Sequence, residues 1–348
     1  MIDYLNGVMR HCAELISGHI HDGEPDEELL AVMRSLNYLN AADNDFHYDN
    51  ELYDAYYFMR YGYAYAFEYA TIYGIILKDY EPDAQNKFGV MTLGCGSCID
   101  AWSLAYANSK RPAGGQRILR YMGNDLNVWA IRMKPEEGNA MRNAYPYDSS
   151  MLFPENENDG YCEDICEFLR NREDQRNYKF SYNAIMFSKI LNELPEDVLD
   201  DLLDIIEENA DRFKSDRIHY ICISHSINAY KNNDRMKTIA QEIADRINHD
   251  NRFEIVDDLP SDWDLGQAAI LKNIGGDNLA CYDFVKSEED NNDVRIINLN
   301  EDFRPIPEVA SIYDFINEYR ENHSNIHACV IKTSTSLFQI IKLVPRQE

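Results

Sequence analysis

Between Lys87 and Tyr106 the chain reads KFGVMTLGCGSCIDAWSLAY, an apolar run that breaks at two glycines and passes directly into helix-forming residues. The chemistry of such a stretch is binding. Gly94 and Gly96 permit a sharp turn and a close approach of backbone to a ligand, Cys95 and Ser97 add only small side chains, and the free N–H groups of the next helix face whatever is bound. A second position of interest ends the following apolar stretch, RILRYMGND. There Asp125, followed by Leu126, stands where an open α/β sheet places a carboxylate for ribose hydroxyls. Groups able to move a proton follow later. His225 in CISHS has an ordinary pKa of about 6.5 and is the preferred base or orienting residue. Glu193 in ILNELPEDV is the second candidate, with Ser188, Lys189 and Ser226 also at strand ends.

Taken in order, TLGCGSCIDAWSLAYA, YMGNDLNVW, CEDICEFL and FSYNAIMFSKILNELP resemble the motifs of class I S-adenosylmethionine-dependent methyltransferases. The resemblance covers residues 86–230 and resumes at the C-terminus. It implies S-adenosyl-L-methionine as cofactor. Gly94, Cys95, Gly96 and Ser97 would wrap its methionine part, Asp125 and Leu126 would meet the ribose, Asp164 and Ile165 would lie beside the adenine, and Ser188 would sit at the end of the fourth strand. Two positions depart from the family pattern: Thr92 replaces the acid usually found two residues before the first glycine, and Cys98 replaces the third glycine. No NPPY or DPPY tetrapeptide follows the fourth strand, so the usual marker of methylation of nucleobase and glutamine nitrogens is missing. The implied activity is methyl transfer to a small molecule, peptide or protein. Two other readings stay open: a non-catalytic binding or scaffold protein of the same fold, and a ribosomal RNA or ribosome-assembly methyltransferase-like protein, suggested by YYFMRYGYAYAFEYATIYGIIL ahead of the glycines.

These residues need a scaffold that delivers strand ends to one edge. Apolar runs predict strands over 88–93, 118–122, 184–187 and 220–224, with helices over 99–107 and 196–209 between them. Such alternation predicts an α/β, Rossmann-like, doubly wound and mostly parallel sheet with right-handed crossovers. A third strand is expected only loosely, within or near 133–160. Ahead of the core, Glu51 to Tyr80 reads as one long, mostly buried helix with Pro82 beyond its end. Its tyrosines Tyr61, Tyr63, Tyr65, Tyr69 and Tyr73 fit packing or the wall of a substrate pocket, and Arg60 fits a carboxylate of substrate or cofactor, or a pair with Glu68. The expected organisation is an N-terminal helical cap (1–85), a Rossmann-like cofactor-binding core (86–250), an insertion or lid (251–325) and a C-terminal β-hairpin (326–348) completing the sheet.

Composition narrows the partners. Thirty-three basic against 61 acidic residues among 348 give a net charge of −28, which repels polyanions and argues against a nucleic-acid substrate. The 45% apolar content agrees with a folded globular chain. No apolar run reaches a membrane span and the N-terminus lacks a signal-peptide pattern, so a cytoplasmic protein without a membrane partner is expected. The eight cysteines lack the density of a disulfide framework and are expected as thiols. The pairs Cys95/Cys98 and Cys162/Cys166 suit tight turns better than a metal, and no metal is expected. A homodimer is the default for such enzymes.

Overall fold

The computed structural model describes residues 1–35, 48–80, 87–135, 151–155, 161–171, 181–226, 233–256, 283–286, 295–298, 305–323, 333–334 and 336–346. Its helices are α1 (Ile2–Gly18), α2 (Glu27–Ser35), α3 (Glu51–Asp79), α4 (Ile99–Ser109), α5 (Ile165–Arg170), α6 (Glu196–Glu208), α7 (Arg235–Ile247) and α8 (Pro307–Glu321). The main sheet contains β1 (Lys87–Leu93), β2 (Ile118–Asn124), β3 (Ala184–Ser188), β4 (His219–Ser226), β5 (Phe253–Val256) and β6 (Ser336–Pro345).

The six strands lie in the order β2-β1-β3-β4-β6-β5. β1 pairs in parallel with β2 and β3, β3 pairs in parallel with β4, and β6 runs antiparallel to both β4 and β5. Both faces of the sheet are covered, which is why its strands read as apolar runs and not as alternation. Phe88, Val90, Leu119, Tyr121, Met186 and Cys222 point into the layer built from α1 to α4 and α8. Met91, Leu93, Ile185, Phe187, Ile221 and Ile223 point into the layer of α5, α6 and α7.

Beyond β2 there is no third strand among the described residues. Two isolated parallel bridges, Met122 with Leu152 and Asp125 with Cys162, stand in its place. At the antiparallel end the chain differs in detail from a hairpin around residues 334–336. Ser336–Pro345 enters the main sheet and has Phe253–Val256 as its outer neighbour, while Thr333–Ser334 pairs with Arg295–Asn298 in a separate three-stranded sheet. The pattern of alternating residues identifies a strand but carries no information about its partner.

Helix α3 matters most for the site. Asn50 caps it, its Oδ1 accepting from the N–H groups of Leu52 at 2.8 Å and Tyr53 at 3.3 Å. Its C-terminal end lies against the start of β4, where Tyr220 donates to Asp79 at 2.8 Å. Its middle reaches the opposite edge of the sheet, where the Tyr69 and Ser188 hydroxyls meet at 2.6 Å. The helix thus crosses the sheet, and its first half stands beyond the carboxyl ends of the strands.

Candidate functional site

The turn after β1 contains three left-handed residues in five: Gly94 at φ 71°, Gly96 at φ 52° and Cys98 at φ 60°. Glycine adopts such angles without strain, whereas Cys98 bears a cost of about 1 kcal/mol. Gly94 is also required by space, since a Cβ there would lie 2.8 Å from the Ile190 Cβ. The turn is fixed from below by Cys95 N–H donating to the Asn124 carbonyl at 2.9 Å and closed on itself by Cys98 N–H donating to the Cys95 carbonyl at 2.9 Å.

Asp125, one residue beyond β2, joins this turn directly. Its Oδ2 accepts from Gly96 N–H at 2.7 Å and its Oδ1 from Asn127 N–H at 3.0 Å. Desolvation raises its pKa above the ordinary aspartate value, against the pull of these donors. The Trp129 side chain and the Leu126 backbone act on the carboxylate in the same direction as these donors. Leu126 is 66% exposed beside it, the large apolar side chain left open to solvent among the described residues. Trp129 leans on the same turn, so that a Cβ at Gly96 would lie 3.4 Å from its ring, and its indole N–H faces the Asp125 carboxylate.

From Trp129 an aromatic row continues along α3. Tyr57 lies 4.8 Å from Trp129 and 4.9 Å from Tyr61, Tyr61 stacks on Tyr65 at 4.8 Å, and Tyr65 lies 6.0 Å from Tyr69. The spacing of four residues places these rings on one side of the helix, and Tyr57 and Tyr65 remain half-buried. The row ends at the carboxyl ends of β3 and β4. There Lys189, left-handed at φ 60°, sets its Nζ 3.1 and 3.2 Å from the carboxylate oxygens of fully buried Glu68 and 4.4 Å from the centre of the Tyr65 ring. Ser224 donates to the same carboxylate. Arg60, expected to pair with Glu68 or to meet a ligand carboxylate, lies with its guanidinium carbon 5.0 Å from the centre of the Tyr61 ring.

Glu193 follows β3 and is exposed to solvent. Surrounding protein pushes its carboxyl up to about 7; the negative charge of Asp125 adds to the rise and Lys189 opposes it. Asp125, Glu193 and Lys189 therefore share one electrostatic neighbourhood at the carboxyl edge. Asp164 lies near it, brought there by the Asp125–Cys162 bridge, and has a local duty as cap of α5: its Oδ1 accepts from Cys166 N–H at 2.8 Å and Glu167 N–H at 3.3 Å. Ile165 is buried beneath it.

His225 meets this neighbourhood through its backbone, its carbonyl accepting from Lys189 Nζ at 3.5 Å, while its ring turns elsewhere. It is fully buried, its Nε2 lies 3.1 Å from the Gln339 side-chain oxygen, and Gln339 in turn donates to the Lys237 carbonyl of α7. The imidazole thus faces the α7 layer while Ser224 faces Glu68, and burial holds its pKa down to about 4. This geometry packs the His225 ring against Gln339 and the α7 layer. Ser226 is paired with Ser336 in the sheet.

The cysteine pairs do not converge on a common point. Cys162 contacts the Leu126 carbonyl at 3.3 Å and Cys166 the Val198 carbonyl at 3.7 Å, and no group of three or more metal-ligating side chains occurs among the described residues. Sequence reasoning named Glu68 only as a partner for Arg60, not for Lys189, and passed over Trp129 and Asp54, which accepts from Ile131 N–H at 2.9 Å and so anchors the Trp129 segment to α3. These join segments far apart in the chain, and no local pattern marks them. Asp100 was missed as well, although an acid just beyond a glycine turn that lacks its usual acid was a readable signal.

A mostly parallel sheet flanked by helices, with a glycine turn after its first strand, a carboxylate after its second and an antiparallel strand inserted beside its fourth, is the arrangement that the sequence resemblance led one to expect. No family model matches the chain, and no curated protein matches its sequence. Among solved structures it is similar to the plantazolicin methyltransferase BpumL in complex with a monoazolic desmethylPZN analog and SAH, at 10% identity and a TM-score of 0.36 over 92% of this chain and 98% of that one. It has the same identity and TM-score against the plantazolicin methyltransferase BamL, in complex with a triazolic desmethylPZN analog and SAH, over 92% of this chain and 100% of that one. Ribosomal protein L11 methylase from Lactobacillus delbrueckii subsp. bulgaricus is similar at 16% identity and a TM-score of 0.27, over 53% of this chain and 68% of that one.

Proposed function

We propose that the protein is an S-adenosylmethionine-dependent methyltransferase acting on a small molecule, peptide or protein. The observation that carries this reading is the Asp125 carboxylate bonded to Gly96 N–H at 2.7 Å, half-buried at the carboxyl edge with exposed Leu126 beside it. The donor set fits the cofactor. Asp125 is an acceptor suited in kind to a diol, Leu126 offers apolar surface to a flat ring, and Gly94 and Gly96 let the backbone come close. When bound, S-adenosylmethionine supplies an electrophilic methyl group on a sulfonium centre.

The protein's own contribution is placement and exclusion of water. The Tyr57 to Tyr69 row walls the region above the strand ends, and the Lys189–Glu68 pair fixes its inner end. Glu193 takes the proton of an acceptor N–H or O–H group: a carboxyl titrating at about 7 is matched in strength to that task at neutral pH.

Calorimetric titration of S-adenosylmethionine and S-adenosylhomocysteine tests the reading. Wild type is expected to give a saturable signal, and Asp125→Ala is expected to lower affinity by about tenfold or more, the loss of hydrogen bonds to a charged group. Absence of binding to wild type would overturn the enzyme reading in favour of a non-catalytic scaffold, a role to which the strained Cys98 and the replaced acid at Thr92 are also suited.

A further inference from the structure

Thr92 lies near the end of β1 with its side chain in the α3–α4 layer, fully buried. Asp100, in the first turn of α4, is 1% exposed and points back at it. Three hydroxyls converge on this one carboxylate: Thr92 Oγ1 donates to Oδ2 at 2.7 Å, Tyr121 donates at 2.9 Å to Oδ1 and 3.0 Å to Oδ2, and Tyr73 donates to Oδ2 at 3.2 Å. The donors come from α3, β1 and β2, so the carboxylate binds together the elements that surround the glycine turn. The turn leaves at Thr92 and returns at Asp100, and a single hydrogen bond closes it into a ring.

Such a closure has work to do. Three left-handed residues in five make the turn a conformation that surroundings must impose. A carboxylate suits the place better than an amide, because it is acceptor-only at both oxygens and an amide offers one acceptor oxygen to three donors. Side chains at 92 and 100 share one buried spot, separated by one hydrogen bond. A carboxylate carried at either position would meet the same tyrosine hydroxyls.

We propose that Asp100 is the positioning residue of the cofactor turn: its buried carboxylate holds the strand end to the helix start, and supplies from beyond the glycines the acid that position 92 lacks. The assignment of the turn to the cofactor rests on the methyltransferase reading above; the closure of the turn by Asp100 does not.

The test pairs Asp100→Asn with the transposed variant Thr92→Asp/Asp100→Thr, which returns the acid to the strand side. Two quantities are measured: hydrogen exchange of amides 94–99 without ligand, and calorimetric affinity for S-adenosylhomocysteine. Asp100→Asn is expected to exchange about tenfold faster in the turn and to bind about tenfold more weakly. The transposed variant is expected to return both to within about threefold of wild type, a rescue that general damage to packing would not produce. Thr92→Val, which removes one donor and leaves the carboxylate, is the milder variant should Asp100→Asn fail to fold, and is expected to shift both in the same direction by less. Wild-type exchange in a folded Asp100→Asn or Thr92→Val protein, or a folded transposed variant no better than Asp100→Asn, would overturn the proposal. If wild type binds no S-adenosylhomocysteine while the exchange contrast persists, the methyltransferase reading fails and closure of the turn by Asp100 stands.

Discussion

In the proposed reaction Glu193 is the proton acceptor. Nearby protein and the charge of Asp125 push the Glu193 carboxyl up to about 7, even with the side chain open to solvent. Glu193→Gln is expected to lower kcat by about a hundredfold, in the range for loss of a general base, and to remove the limb near pH 7 from the pH–rate profile while leaving calorimetric affinity for S-adenosylhomocysteine close to wild type. An unchanged profile would remove Glu193 from catalysis. The sequence made Gly94, Gly96 and Asp125 legible because each is marked locally, by a turn or by the end of an apolar run. It did not distinguish His225 from Glu193. In CISHS the histidine and Ser224 lie on opposite faces, both faces of the sheet are covered by helices, and only the layer behind each face decides which side chain lies beside Lys189 and Glu68.

At the scale of elements, α3 joins the N-terminal helices to the strand ends through the Glu68–Lys189 pair. Glu68 is fully buried and the Lys189 side chain nearly so, which makes the pair costly to break from one side. Lys189→Met is expected to destabilise the fold by about 3 kcal/mol or more, since it leaves a buried carboxylate without its cation; denaturant unfolding measures this directly, and a change below about 1 kcal/mol would mean that Glu68 finds compensation elsewhere. The helix itself was plain in the sequence, where a long run without proline is bounded by Asn50 and Pro82. Its placement across the sheet was not, because contacts such as Tyr69 with Ser188 join residues far apart in the chain. Among the described residues the segment following β2, polar and rich in Asn, Pro and Glu, offers bridges at Leu152 and Cys162 in place of a third strand.

For the molecule as a whole, the buried acids set how stability varies with pH. Burial raises Asp54 to about 8 and Asp100 to about 6. Between their ordinary values and these, the folded chain holds protons that the unfolded chain has released, so stability falls as pH rises through this window. His219 and His225, both held down to about 4 by burial, act in the opposite direction: their contribution is complete above about 6.5 and is lost as pH falls toward 4. The Tm is therefore expected to be higher at pH 6.5 than at pH 8.5, and Asp54→Asn is expected to flatten the difference. A flat or inverted profile for wild type would show that these carboxyls are ionised without cost.

The position of β6 carries a consequence for how the protein is made. This strand lies between β4 and β5, yet its residues follow those of β5 only after the whole 257–335 stretch has been synthesised. Until Ser336–Pro345 emerges from the ribosome, β4 and β5 have no native partner on the sides that face each other, and each presents unpaired backbone to any strand nearby. The nascent chain thus passes through a period in which β1 to β4 can assemble while the sheet stays open, and the last step is insertion into a waiting gap. A ribosome-stalled chain ending before Ser336 is expected to bind chaperone and to be cut readily by protease in β5, with protection arriving in one step once β6 clears the exit tunnel.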